Sequence, residues 1–265
     1  MRYAIFITGG GSGIGRAIGQ LFAARGWFVG LADIDERALA DTLATLPGGS
    51  GWTHRLDVRD RDGWDAALAA FADAAGGRIN VVANNAGIPL GGALADNSRD
   101  EIDRCLDVNL RGAIYGAQAA LPFLRAAAPD ACLLNTASAA GIYGVNRSSV
   151  YSATKFGVRS LTEALDAEWD EYAIRVRSLM PSFIDTPLLA HTPNARSNED
   201  IRSQVLGAGL EITPVEKVAE AAWAAVHGDR LHTLVGKTAE RLAFAARWMP
   251  NRLRRMVRGT GGLGR

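Results

Sequence analysis

Short apolar runs alternate with longer amphipathic stretches along most of this chain. Seven runs have the length and composition of β-strands, at residues 3–8, 27–32, 51–56, 79–83, 131–136, 174–179 and 232–235. The stretches between them carry helical patterns, at residues 13–25, 36–46, 61–75, 99–125, 149–172 and 215–227. A repeated order of strand then helix requires a parallel sheet covered on both faces. The pattern therefore predicts an α/β fold with a doubly wound, seven-stranded parallel sheet.

Nothing in the sequence divides these elements into two domains. No Pro/Ser-rich linker or internal repeat interrupts them, so we expect one domain over residues 1–236. The segment 181–214 departs from the rhythm and contains four prolines. Because loops at the carboxyl ends of parallel strands surround the ligand, we predict a substrate lid at 181–214. A plain surface insertion is the alternative.

Composition narrows the class of protein. A hydrophobic fraction of 48% and a charged fraction of 22% fit a soluble globular protein. We expect no transmembrane helix, because no run of 18 apolar residues exists, and no signal peptide. Cys105 and Cys132 lie outside any CxxC motif, and the four histidines have no ligand spacing. These features predict a cytoplasmic protein without a catalytic metal.

A glycine-rich turn, Thr-Gly-Gly-Gly-Ser-Gly-Ile-Gly at residues 8–15, joins the first strand to the first helix. Gly9, Gly13 and Gly15 allow a tight turn, and the free N–H groups of the helix start suit a pyrophosphate. Asp33 follows the second strand, where a dinucleotide fold holds its ribose. The turn therefore predicts dinucleotide binding, with a structural turn as the alternative.

Asp33 also distinguishes between cofactors. A carboxylate accepts hydrogen bonds from a ribose 2′-OH but repels a 2′-phosphate. Ser12, not a basic residue, precedes Gly13, and helical geometry could point the nearby Arg37 outward. We therefore predict NAD(H) over NADP(H).

Tyr151 and Lys155 are four residues apart, which places them on one face of a helix. An ammonium beside a phenol favours the phenolate and lowers the pKa of the tyrosine. Tyr151 is thus a candidate acid/base for an alcohol or a ketone. Taken alone, the pair has a surface helical contact as its alternative.

Together, the turn at 8–15, Asn-Asn-Ala-Gly at 84–87, Asn109, Ser138 and Tyr-x-x-x-Lys at 151–155 resemble the short-chain dehydrogenase/reductase superfamily. The match extends in order from residue 3 to about residue 236 and points to the branch of single-domain, NAD(P)-dependent enzymes. The resemblance implies a single-domain Rossmann fold and a catalytic tetrad. Tyr151 would be the general acid/base, and Lys155 would hold the nicotinamide ribose. Ser138 would bind the substrate oxygen, and Asn109 would position a water of a proton relay.

The resemblance also implies a set of cofactor contacts. Besides Tyr151 and Lys155, they are Gly9, Ser12, Gly13, Ile14, Gly15, Asp33, Asp57, Val58, Asn84, Ala86, Gly87, Pro181, Ile184 and Thr186. Two positions depart from the family pattern: residue 182 is Ser where glycine is usual, and residue 137 is Ala where many relatives have serine.

The predicted substrate pocket is mostly apolar. Its candidate residues are Ala139, Ala140, Ile142, Tyr143, Val145, Phe183, Leu188 and Leu189. No lysine or arginine stands out as a partner for a substrate anion, and His191 and Arg196 in the lid are as well explained as solvated residues. The pocket predicts an uncharged, hydrophobic secondary alcohol or ketone.

The residues that follow the last strand carry a separate charge. Residues 237–265 contain eight Lys/Arg against Glu240, a net charge of +7, so the first 236 residues carry −6. Apolar residues recur at helical spacing over 239–258, with a break at Pro250. We favour packing of this basic extension on the chain's own acidic body or on a neighbouring subunit. Contact with an anionic membrane is the next interpretation, and nucleic-acid binding the least favoured.

The sequence thus predicts an NAD(H)-dependent oxidoreductase acting on a hydrophobic secondary alcohol or ketone. An NADP(H)-linked carbonyl or 3-oxoacyl reductase is the alternative within the same class. A catalytically silent NAD sensor or scaffold is the alternative from another class. The resemblance also implies a homodimer or homotetramer paired through the helices at 99–125 and 149–172, for which Leu161, Leu165 and Trp169 suit the contact face.

Overall fold

The computed structural model describes residues 2–259, which contain one seven-stranded parallel sheet. Its strands are β1 (Ala4–Thr8), β2 (Phe28–Asp33), β3 (Gly51–Arg55), β4 (Val81–Asn84), β5 (Ala131–Thr136), β6 (Ile174–Pro181) and β7 (His232–Val235). They lie in the order β3-β2-β1-β4-β5-β6-β7, and every pair is parallel. The chain reverses its direction of winding between β1 and β4, which opens a crevice at their carboxyl ends. The predicted doubly wound α/β fold is confirmed.

Ten α-helices accompany the sheet within the described residues. They are α1 (Gly13–Ala24), α2 (Glu36–Leu43), α3 (Arg61–Ala74), α4 (Arg99–Leu106), α5 (Gly112–Ala127), α6 (Ser149–Glu168), α7 (Ile201–Gly207), α8 (Val215–His227), α9 (Lys237–Trp248) and α10 (Pro250–Gly259). Helix α7 lies inside the segment 181–214 and was not predicted. No helix of the described part is long and apolar enough to cross a membrane.

The helix predicted over 99–125 is interrupted, so that prediction is wrong in one respect. A π-helical turn, Asp107–Arg111, separates α4 from α5. The Asn109 side chain in this turn bonds both backbone groups of Ile88, donating to its carbonyl oxygen at 2.9 Å and accepting from its N–H at 2.8 Å. Widened helical turns of this kind are frequent at functional sites. The predicted helix 149–172 likewise ends early, at Glu168, and a 3₁₀ turn follows at Asp170–Tyr172.

Alternation along the central strand builds a core on each face of the sheet. Ile5 and Ile7 of β1 pack with Ile18 and Phe22 of α1 on one face. Phe6, from the same strand, packs on the other face with the aromatic residues of α3. Because side chains of a strand point alternately to opposite faces, a strand buried on both sides must be apolar throughout. The sheet ends at Val235 and α9 begins at Lys237, but a domain boundary at residue 236 stays a prediction.

Candidate active site

The glycine-rich turn leads from β1 into α1 and leaves the first turn of that helix open. Gly9 and Gly13 have φ of +67° and +49°, the left-handed region that glycine adopts without strain. A Cβ on Gly15 would collide with the carbonyl oxygen of Gly9. Ser12 occupies the N-cap position, and within the described chain its side chain caps no N–H group. The free amides and the helix dipole fit a pyrophosphate.

Asp33, the last residue of β2, lies directly against this turn. Its Oδ2 accepts a hydrogen bond from the Gly11 N–H at 3.0 Å. Arg16 of α1 donates to the Gly11 carbonyl oxygen at 2.7 Å and to Thr42 Oγ1 at 2.8 Å. Its guanidinium is therefore already engaged, while the carboxylate lies where a ribose would bind.

Thr8 ties the phosphate-binding turn to the loop after β4. Its hydroxyl oxygen accepts from the N–H groups of Asn85 and Ala86, each at 3.1 Å. The Asn85 amide donates in return to the Thr8 carbonyl oxygen at 3.0 Å. Sequence analysis missed this role of Thr8 and Asn85, although both belong to the motifs it used. Asn84, a predicted cofactor contact, is buried in the sheet and donates to Asn135 Oδ1 at 3.0 Å.

The four predicted tetrad residues come together from three parts of the fold. Tyr151 and Lys155 lie on α6, Ser138 follows β5, and Asn109 lies in the π-helical turn. The Ser138 hydroxyl donates to the Pro181 carbonyl oxygen at 3.4 Å and lies close enough to the Tyr151 phenol to act on its pKa. A Cβ placed on Gly87 would lie 3.5 Å from Lys155 Nζ and 3.3 Å from Asn109 Oδ1. Lys155 and Asn109 therefore face one another across the Gly87 backbone.

One expectation about the tetrad is wrong for this arrangement of side chains. Lys155 Nζ donates to the Thr136 carbonyl oxygen at 2.9 Å and lies 5.7 Å from the centroid of the Tyr151 ring. Burial raises the pKa of Tyr151, and the nearby Ser138 hydroxyl opposes that rise. Burial also lowers the pKa of Lys155 to about 8, because only 4% of this residue is exposed. Desolvation, not the ammonium, thus dominates the pKa of the phenol.

The remaining predicted cofactor positions differ in accessibility. Asp57 is paired with Arg59 at 2.6 Å, which lowers the pKa of Asp57. The Thr186 side chain lies 3.2 Å from where a Cβ on Gly13 would be, so it covers the phosphate-binding turn. The side chains of Val58 and Ile184 are buried in the protein, which leaves only their backbone groups for a cofactor.

Ser182 stands where the family usually has glycine, and Gly236 leaves room for its side chain. Gly236 has a φ of +95°, and a Cβ on it would collide with Ser182 Oγ. The hydroxyl of Ser182 thus occupies the space that a side chain at position 236 would need.

The segment 181–214 folds over the loop after β4 and is fastened there. Its ends meet in a bridge between Ile184 and Thr213. Its middle is held by two hydrogen bonds: the Gly91 N–H donates to the Pro193 carbonyl oxygen at 2.8 Å, and the Ala195 N–H donates to the Glu101 carboxylate at 2.8 Å. That this segment acts as a substrate lid stays a prediction.

His191 and Arg196 in the segment 181–214 are solvated, as one interpretation of the sequence expected. His191 is exposed, and the side chain of Arg196 is 71% exposed with a partner, Asp96, at 3.4 Å.

Arg147 is a residue that sequence analysis missed. A groove of about 420 Å³ lies between the loop that follows β4 and the start of α6. It is lined by Ala93, Leu94, Val145, Asn146, Arg147 and Ser149. Arg147 has a φ of +59°, and its guanidinium forms no ion pair or hydrogen bond with the rest of the described chain. Its position between Ser138 and Tyr151 in the sequence was the available signal.

Comparisons with known proteins agree with this geometry. The family model for short chain dehydrogenases matches residues 3–197. The trans-4-hydroxycyclohexanecarboxylate dehydrogenase of Sinomonas cyclohexanicum is 36% identical over 193 residues, which cover 69% of this chain and 73% of that protein. The meso-2,3-butanediol dehydrogenase of Serratia marcescens is 31% identical over 221 residues, which cover 83% of this chain and 86% of that protein.

A solved structure, a short chain dehydrogenase/reductase from Burkholderia phymatum in complex with NAD, superimposes with a TM-score of 0.84 at 26% identity. The superposition covers 96% of this chain and 95% of that one. With the sheet order, the phosphate-binding turn and the Tyr151–Lys155 pair on α6, these matches identify the chain as a member of the short-chain dehydrogenase family.

Proposed function

We propose that this oxidoreductase uses NAD(H) to interconvert a hydrophobic secondary alcohol and its ketone. The observation that carries the proposal is that Ser138, Tyr151 and the buried Lys155 meet at one place: the Ser138 hydroxyl acts on the pKa of the Tyr151 phenol, and Lys155 Nζ lies 5.7 Å from the centroid of the Tyr151 ring. A positioned acid/base and an oxygen-binding hydroxyl are what proton exchange with an alcohol requires. Bound NAD(H) would accept or donate the hydride.

Each tetrad residue has a distinct task in this proposal. In alcohol oxidation, Ser138 binds the substrate oxygen while the Tyr151 phenolate removes its proton. In ketone reduction, the Tyr151 phenol returns a proton to that oxygen. Lys155 holds the ribose hydroxyls of the cofactor. Asn109, fixed by Ile88 and facing Lys155, positions a water that connects the ammonium to solvent.

The preference for NAD(H) is argued from Asp33. Its carboxylate lies against the phosphate-binding turn, where it would accept hydrogen bonds from a ribose 2′-OH and repel a 2′-phosphate. Arg16 is already bonded to Gly11 and Thr42, so it is not offered to a phosphate.

We therefore expect the Asp33→Ser variant to lose about 10- to 100-fold in kcat/KM with NAD⁺, the equivalent of one or two hydrogen bonds to a charged group. Its efficiency with NADP⁺ should not fall, because the repulsive charge is removed. Steady-state kinetics with both cofactors measures the ratio. Asp41→Asn, an exposed carboxylate on α2, is the matched control and should leave the ratio unchanged. Equal efficiency of the wild-type protein with both cofactors would refute the proposal.

The substrate class is argued from the lining of the site. Ala139 and Ala140 directly follow Ser138, and Leu189 belongs to the segment 181–214; all three are buried and carry no charge. Two of the related enzymes carry names of secondary alcohols, one of them a ring. We propose an uncharged, hydrophobic secondary alcohol or ketone.

Arg147 favours a second candidate, a hydrophobic alcohol that bears a carboxylate. Its guanidinium lines the groove without a protein partner, and the Sinomonas relative is named for a hydroxycyclohexanecarboxylate.

Cyclohexanol and 4-hydroxycyclohexanecarboxylate separate the two candidates when NADH formation is followed by absorbance in wild-type protein and in Arg147→Ala. For an uncharged substrate class, we expect cyclohexanol to be the better substrate and the variant to change its kcat/KM little. For the second candidate, the acid is preferred, and the variant loses about 10-fold or more with the acid alone, since one charge-assisted hydrogen bond is removed. Activity on acidic metabolites with none on apolar alcohols or ketones would contradict the first candidate, an uncharged substrate.

We also propose a homodimer or homotetramer. The residues that sequence analysis assigned to the contact face include Trp169, which is buried in the chain's own core, and Leu165, which packs against it. Core packing therefore explains these two. Exposed apolar side chains instead lie on α4, α5 and α6, at Leu106, Ile114 and Phe156. These three support a subunit contact through the predicted helices.

We place the protein in the cytoplasm. Both cysteines are free and buried, and burial raises the pKa of Cys105 to about 11 and that of Cys132 to about 12. Such thiols stay protonated and suit a reducing compartment.

A further inference from the structure

The outer face of α9 presents two large aromatic side chains to solvent. Phe244 is 59% exposed and Trp248 is 66% exposed. They are four residues apart and therefore lie on the same face of the helix. Ala239 is fully buried and marks the side that packs on the protein. The aromatic pair thus points away from the body of the molecule, where it contributes nothing to the core.

Basic residues surround this pair. Residues 237–258 carry seven Lys/Arg against Glu240, a net charge of +6. All seven are exposed: Lys237, Arg241, Arg247, Arg252, Arg254, Arg255 and Arg258. None of them forms an ion pair with the described part of the chain, and the guanidinium of Arg247 lies 5.3 Å over the ring of Trp248.

Of the favoured sequence interpretation, packing on the chain's own body is seen for α9, which contacts β7 and the 3₁₀ turn Ala139–Gly141. A contact with a neighbouring subunit stays a prediction. What attaches the two helices is apolar: Ala239 of α9 and Leu253 of α10 are the buried residues. The arginines remain free for an external partner. A second copy offering the same surface would bring +6 against +6, which disfavours a symmetric contact through this face.

We infer that α9 and α10 bind the surface of a membrane that contains anionic lipid. Aromatic side chains with polar edges settle at the level of lipid headgroups, and arginines beside them pair with lipid phosphates. Charge and apolar exposure point to the same ligand here, which is a lipid bilayer surface and not a protein groove.

The location of α9 relates this surface to catalysis. Helix α9 contacts the 3₁₀ turn Ala139–Gly141, which directly follows Ser138. If the substrate is hydrophobic, as the proposed function states, it partitions into the membrane, and an enzyme bound to the membrane surface through α9 would have its active site close to it. The membrane contact itself does not depend on the substrate.

Vesicle co-sedimentation of the full-length protein tests the inference without any need for turnover. We expect binding to vesicles of phosphatidylcholine with about one third phosphatidylglycerol, and much weaker binding to phosphatidylcholine alone or in high salt. The double variant Phe244→Ser/Trp248→Ser should lose binding, while Leu206→Ser, which removes a comparably exposed side chain on α7, should retain it.

Charge reversal provides the second arm. Arg255→Glu should weaken binding by about fivefold or more, since each basic residue near an anionic surface contributes about that factor. Arg230→Glu, an exposed arginine outside the extension, should not. Thermal unfolding verifies that each variant is folded.

Absence of wild-type binding to the anionic vesicles would overturn the inference. A Phe244→Ser/Trp248→Ser variant that binds the vesicles like the wild type would also overturn it. A third contrary result is a wild-type protein that does not bind lipid together with a double variant of lower oligomeric mass, since the aromatic pair would then serve a contact between subunits. None of these outcomes bears on the oxidoreductase activity, which is measured separately in solution.

Discussion

Replacing Tyr151 with phenylalanine is expected to lower kcat for alcohol oxidation by about 10²- to 10⁴-fold, the range for loss of a positioned general acid/base. NADH binding should persist, because the phosphate-binding turn and Lys155 remain. The ring itself stays in place, so only the phenol hydroxyl near Ser138 is lost. Absorbance kinetics and NADH fluorescence titration measure the two effects.

Tyr172→Phe is the matched control, because it removes a phenol hydroxyl outside the site and should leave kcat unchanged. The pH profile of the wild-type protein provides an independent readout. Only the phenolate of Tyr151 can accept a proton, so kcat/KM for oxidation should rise with pH. Only the phenol can donate one, so reduction should fall as the pH passes the pKa. Burial raises the pKa of this phenol and extends both trends into the alkaline range. Unchanged turnover in Tyr151→Phe would contradict this mechanism, whereas a wild-type protein that binds NADH without any turnover would favour the catalytically silent alternative.

Replacing Gly15 with alanine should abolish most cofactor binding and destabilise the fold. The new Cβ would collide with the Gly9 carbonyl oxygen, a backbone atom that cannot move without distorting the turn. Overpacking of this kind costs about 1–3 kcal/mol in the free energy of unfolding. We expect NADH affinity to fall by about tenfold or more, since the amides that face the pyrophosphate shift with the turn.

Gly48→Ala isolates the effect of the collision. No atom lies within 4 Å of a Cβ at Gly48, and its φ is outside the left-handed region. This control should change the free energy of unfolding by no more than about 0.5 kcal/mol. Fluorescence titration and thermal unfolding of both variants give the comparison, and wild-type NADH affinity in Gly15→Ala would show that the turn does not bind the cofactor.

The sheet was predictable because its signal is local and repeated. The central strand β1 is apolar and buried along its whole length, and the turn at 8–15 fixes where the first helix begins. The order of the strands then follows from the rules that govern parallel connections. The element bounds were less predictable, because Asn109 bonds to Ile88 and widens a helix that the sequence pattern shows as continuous.

The residues of the site were predictable from the sequence, but the direction of the pKa shift of Tyr151 was not. Motif spacing brought Ser138, Tyr151 and Lys155 into one group. Whether the ammonium would face the phenol depended on a competing acceptor, the Thr136 carbonyl, which no motif includes. Arg147 escaped notice for a related reason: it lies in an irregular segment, where neither periodicity nor family spacing indicates which side chains line a groove.

Ser182 and Gly236 have a consequence for how this sequence can have changed over time. The hydroxyl at 182 fits only because position 236 carries no side chain, and the backbone at 236 already adopts a conformation that suits glycine. The effect of a mutation at either position therefore depends on the residue at the other, which makes the pair epistatic. A side chain introduced at 236 would meet the hydroxyls of both Ser182 and Thr213. Position 236, at the start of the basic extension, thus constrains the evolution of the cofactor-binding edge of the sheet.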